Sequence, residues 1–190
     1  ESEGSGGSID MLAGSGTDGG SVSIRSGSGS LQRSGSIIMS VSKASQDSAN
    51  AGDVIVESGS SSGSMDGGMV SVIGGETVSG QGGMLKMSSG ASRLAVSGVV
   101  KFSSMSSAST GDVTLVSGDA SMHQSGSAIL GTGTSASESG AVHIFSGDAT
   151  TKSGNVVFTA GMGVDQGGDV EVKAGSGSVG GKLHLTSGDE

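Results

Sequence analysis

A glycine followed by an alternating pair of aliphatic residues returns thirteen times along this chain of 190 residues. The anchor glycines are Gly7, Gly20, Gly35, Gly52, Gly68, Gly83, Gly98, Gly111, Gly126, Gly140, Gly154, Gly168 and Gly181. Successive anchors lie 13 to 17 residues apart, with a mean of 14.5. Well-kept copies read GGSVSIRSG, AGDVIVESG, TGDVTLVSG and GGKLHLTSG. Counting from the anchor, positions +2 and +4 hold a residue larger than alanine at 25 of 26 places, Ala128 being the exception. That alternation, with its valines and isoleucines, is the period-two signature of a strand. A helix needs a 3.6-residue period, and this much glycine opposes one.

The rest of each copy is different in kind. Position +6 is nearly always small, as at Ala13, Ser26, Ser58, Ser89, Ser146 and Ala160, and a second glycine follows at +7 in eleven of the thirteen copies. Ser42 and Met105 stand at the two exceptions. Between that glycine and the next anchor runs a small, polar segment such as DASMHQS, TSASES or DATTKS. Two glycines per copy suggest two corners, with positive φ or tight backbone approach at each. The expectation is an all-β fold: a two-sheet β-solenoid of about thirteen coils, 14 to 15 residues each, filling residues 1–190 as a single repeat array. One wall would carry the aliphatic pair, the other alanine, serine and glycine, with coils ~4.8 Å apart. Serine hydroxyls at +6 are expected to form ladders along the stack.

Composition excludes several functions. Glycine accounts for 39 of the 190 residues, about three times ordinary usage. Proline, cysteine, tryptophan and tyrosine are absent, and the net charge is −9. Such a balance disfavours nucleic acid and anionic lipid as partners, because phosphate contacts draw on Lys and Arg. No apolar run is long enough to span a bilayer, so no membrane insertion is expected. Residues 1–8 are polar and contain no apolar leader core. The apolar fraction of 32% is too high for a flexible Gly/Ser linker.

By these Gly-x-aliphatic-x-aliphatic-x-Ser-Gly copies, the chain resembles the broad class of Gly/Ser-rich β-solenoid repeat proteins of secreted fibres, adhesins and surface proteins. The resemblance covers the whole chain and implies an extracellular or cell-surface structural role. It departs from calcium-binding nonapeptide repeats, since GTDGGSVSI at residues 16–24 echoes that frame only once. Regular Thr-x-Thr ranks of ice-binding solenoids are missing as well.

Catalytic and cofactor chemistry finds no constellation. His123, His143 and His184 lie in separate copies, and so do the turn carboxylates Asp119, Asp148 and Asp189. No phosphate loop or dinucleotide fingerprint occurs. The chain is therefore expected to be no enzyme and to carry no cofactor and no metal.

The odd positions of the repeat suggest a partner. If +2 and +4 face inward, +1, +3 and +5 face outward, yet Met69, Met84 and Val99 occupy +1 in three successive copies. Ile129 and Val157 at +3 and Phe145 at +5 add to them. Contiguous apolar surface marks interaction sites, so these six residues are the candidate assembly interface. The sequence also starts and stops inside the repeat without a cap, as a segment of a longer fibre or a head-to-tail protomer would. The resulting expectation is a structural protein forming an extracellular filament with further copies of itself, alongside other surface or matrix components. The alternative is an adhesin stalk or a module binding polysaccharide, mineral or ice.

Overall fold

The computed structural model of this chain describes residues 6–44 and 50–188. They fall into two units, Glu1–Gly98 and Val99–Glu190. Each is built from the same alternation of unbent arms and tight loops, and each is described separately.

In Glu1–Gly98 the chain changes direction sharply at residues 16–18, 30–32, 62–65, 78–80 and 93–95. In Val99–Glu190 it does so at 107–109, 121–123, 136–137, 150–151, 164–165 and 177–179. Every one of these bends falls between a +7 position and the next anchor glycine. The stretches from each anchor to its +7 position, such as 20–27, 83–90 and 168–175, contain none. The repeat thus produces one sharp turn per copy, where two corners were expected.

Seven of the loops are closed at their bases by backbone hydrogen bonds. The anchor amide donates to the carbonyl of the preceding +7 glycine: Gly20 to Gly14 at 2.8 Å, Gly35 to Gly27 at 2.9 Å, Gly68 to Gly59 at 2.8 Å, Gly83 to Gly75 at 2.8 Å and Gly98 to Gly90 at 2.9 Å. Gly168 to Gly161 and Gly181 to Gly175 do the same at 2.9 Å. Donor and acceptor are six to nine residues apart in these seven loops. Beyond the base the two flanking arms share no further ladder, and no described residue is in a strand or a helix.

The all-β, two-sheet β-solenoid is therefore overturned for the described residues, and the polar segment of each copy is a loop rather than a second strand. The physical reason lies at the base. In a solenoid the anchor amide would donate to the coil stacked on it. At seven anchors it is instead satisfied by a carbonyl of its own loop, so the donor that a stacked ladder needs is already used there. The polar segments add nothing that would favour a strand: they hold alanine, serine and charged residues, which pack poorly on a pleated surface. The expected serine ladder is corrected too. Ser58 alone among the described +6 serines bonds across a base, donating from Oγ to the Gly68 carbonyl at 2.9 Å. Other hydroxyls tie their own loops, as in the Gly80 amide to Thr77 Oγ1 at 3.2 Å and the Ala95 amide to Ser92 Oγ at 3.0 Å.

Some anchor glycines sit where the chain approaches itself closely. No described residue, glycine included, has positive φ. At Gly83 a Cβ would stand 2.7 Å from the Gly75 amide nitrogen, closer than side chains are found. At Gly111, which follows the copy with Met105 in place of the second glycine, a Cβ would meet nothing within 4 Å.

Candidate assembly surface

No hydrophobic residue among those described is buried. Only Ala13, Ala44, Ser89, Ser146 and Ala160 are even half-buried. Four of them sit at +6, where the chain approaches itself at a loop base. The aliphatic pairs lie farther along the arm, beyond the reach of that approach.

Exposure nevertheless sets the +2 residues apart from the odd positions. From the second copy onward the large +2 residues range from 44% exposed at Val156 to 64% at Val113. The aliphatic and aromatic residues at +1, +3 and +5 range from 73% at Val157 to 96% at Leu12. The two sets do not overlap. Val113, the most exposed of the set, follows Gly111, where an added Cβ would meet nothing within 4 Å. Ile9, with no described loop base ahead of it, reaches 93%. The +4 residues, from 58% exposed at Ile144 to 86% at Leu115, overlap the odd positions, so the lower exposure belongs to +2 alone and the expected inner face of +2 and +4 does not form.

The six residues expected to form the interface, Met69, Met84, Val99, Ile129, Phe145 and Val157, are all strongly exposed. Met69 and Met84 belong to Glu1–Gly98, and the other four belong to Val99–Glu190.

Sequence reasoning missed one feature of the surface. Within Val99–Glu190, Phe102, Val113, Thr114 and Leu115 line an apolar cleft of about 200 Å³. Phe102, Val113 and Leu115 were expected to point into a core. Instead they flank the loop at 105–111, whose base carries Met105 in place of glycine and whose anchor touches nothing. The substitution at +7 was the available signal, because a broken loop base lets two arms present their aliphatic residues to one open space.

Among the described residues no three His, Asp or Glu side chains gather as a metal site would require. Among the described residues no helix is long and apolar enough to cross a membrane. The chain matches no protein-family model, no curated protein and no solved structure at the level of a significant resemblance.

Proposed function

We propose that this chain is a structural repeat protein of the extracellular space or cell surface, and that its aliphatic arms associate with the arms of further copies. The observation that carries this reading is the exposure of the aliphatic pair in copy after copy. Arms of five residues with alternating side chains and unused backbone donors and acceptors are poor terminal states in water. Another copy offers the same spacing of apolar pairs, so one contact is repeated along the chain and weak contributions add through linkage.

Sedimentation and electron microscopy of the purified chain test the reading, with Met84→Lys as the comparison. Burying one methionine contributes ~1.5–3 kcal/mol, and a lysine there adds a charge to be desolvated. Met84→Lys should therefore raise the concentration at which assemblies appear by about tenfold or more. Unchanged assembly would remove Met84 from the surface. A wild-type chain that stays monomeric and sediments with polysaccharide or mineral instead would favour the surface-binding alternative.

Limited trypsin digestion locates the contact. Arg25, Lys86, Lys101, Lys173 and Lys182 lie on arms, whereas Arg33, Lys43, Arg93 and Lys152 lie in loops. Association through arms should protect the first group and leave the second open to cleavage. Equal protection of both groups would place the contact elsewhere. Because each copy brings a charge of −9, assembly should strengthen as ionic strength rises and repulsion is screened.

A further inference from the structure

The chain has nine methionines and neither cysteine, tryptophan nor tyrosine. Its thioethers are thus the side chains most readily oxidised by a peroxide. All nine are open to solvent, from 63% exposed at Met11 to 102% at Met162. They are also unevenly placed. Met11, Met39 and Met87 stand at +4, and Met69 and Met84 at +1, so five lie on arms, all within Glu1–Gly98. The arms of Val99–Glu190 carry valine, isoleucine, leucine and phenylalanine. That unit's Met105, Met122 and Met162 lie at or within loops, as does Met65 in the first unit.

We propose that Met11, Met39, Met69, Met84 and Met87 form an oxidation site that controls association through the arms of Glu1–Gly98, while the arms of Val99–Glu190 are insensitive to oxidant. The proposal rests on the association reading given above. The oxidant is a peroxide. The thioether sulfur attacks one peroxide oxygen, the O–O bond breaks and an S–O bond forms. Sulfur is oxidised by two electrons to the sulfoxide, and hydrogen peroxide is reduced to water. The product replaces an apolar, adaptable contact with a strongly polar one. None of the five is buried, so the change reaches the surface without disturbing a core. Reduction by a dithiol through methionine sulfoxide reductases returns the thioether, releases water and leaves a disulfide on the reductant.

The experiment treats the full chain with hydrogen peroxide and follows each methionine by peptide mass, and assembly by sedimentation. Complete oxidation of the five arm residues should raise the assembly concentration by about tenfold or more. Treatment with both sulfoxide reductases and dithiothreitol should restore it. A variant with leucine at the five arm methionines should assemble and ignore peroxide. One with leucine at Met65, Met105, Met122 and Met162 should assemble and stay sensitive. Assembly unchanged after full oxidation of the arm residues overturns the switch alone, as does undiminished sensitivity in the five-leucine variant. A chain that assembles neither reduced nor oxidised overturns the association reading, and the switch with it.

Discussion

In Glu1–Gly98, five loop bases are pinned by an anchor amide, at Gly20, Gly35, Gly68, Gly83 and Gly98. The loop ahead of Gly52 contains residues outside the described set and is left aside. In Val99–Glu190 the anchors at Gly168 and Gly181 are pinned, and those at Gly111, Gly126, Gly140 and Gly154 are not. Length does not explain the difference. The pinned loops span six to nine residues between donor and acceptor, and the four unpinned ones run from +7 positions 105, 118, 133 and 147 over the same range. The residue before the anchor separates them in part. Gly19, Gly67, Gly82, Gly167 and Gly180 all precede pinned anchors, and Thr110, Ser125, Ser139 and Ser153 precede unpinned ones. Ser34 and Ser97 precede pinned anchors as well. A glycine doublet is therefore sufficient for closure but not required. Room is not what it supplies, since a Cβ at Gly82 would stand 3.7 Å from the Gly75 carbonyl, an ordinary contact. Positive φ is not what it supplies either, since no described glycine adopts it, and the doublet has no structural explanation here.

The sharpest test of that comparison is steric. Gly83→Val should push the two sides of its base apart, because a Cβ there meets the Gly75 amide nitrogen at 2.7 Å. The residue-83 amide should then exchange its hydrogen as fast as an open peptide. The lost bond is worth ~0.5–1.5 kcal/mol, a change of about two- to twelvefold in exchange rate. Gly111→Val meets nothing and should leave exchange across its unit unaltered. Equal responses at the two positions would show that close approach is not what reserves Gly83 for glycine.

A smaller effect is expected from converting an unpinned base into a pinned one. Ser153→Gly creates a doublet ahead of Gly154, whose base is already near: a Cβ on Gly154 would lie 3.6 Å from the Ser146 Cβ. The Gly154 amide should become protected by about two- to fivefold, the scale of glycine-dependent backbone terms of ~0.4–1 kcal/mol. The reverse change, Gly82→Ser, should keep the Gly83 bond, as the bases after Ser34 and Ser97 do. If Ser153→Gly leaves exchange at Gly154 unchanged, the doublet accompanies closure without causing it.

Much of this organisation was legible in the sequence, though under another geometry. The 14.5-residue period reappears as one loop per copy, and the +2 position as the lower exposure of Val22, Val70 and Val156 against Met69, Ile73 and Val157, whereas +4, with Leu115 at 86%, is not set apart. The error concerned the glycines. Gly75 and Gly83 looked like ends of a second strand, whereas they face each other across 2.8 Å and bracket a loop. Periodicity reports which residues recur, and it cannot say whether a donor at one recurrence pairs within its own copy or with the next. The same ambiguity hid the cleft at Phe102, Val113 and Leu115, since an aliphatic pair reads alike whether a second wall covers it or not.

The finest distinction lies between bases closed by one bond and the base closed by two. At Gly68 the backbone bond to Gly59 at 2.8 Å is accompanied by the Ser58 hydroxyl donating to the Gly68 carbonyl at 2.9 Å. Ser26 and Ser89 hold the same +6 place at the bases closed by Gly35 and Gly98, where the backbone bond stands at 2.9 Å. Ser58 is exposed, so its hydroxyl exchanges one partner for water at little cost, and the low end of the range, ~0.5 kcal/mol, applies. Ser58→Ala should therefore speed exchange of the Gly68 amide by about twofold, bringing it level with Gly35 and Gly98. Full exposure of that amide in the variant would mean that the hydroxyl, rather than the glycine backbone, holds this base. The all-glycine closure inferred for the other six loops would then need its own explanation.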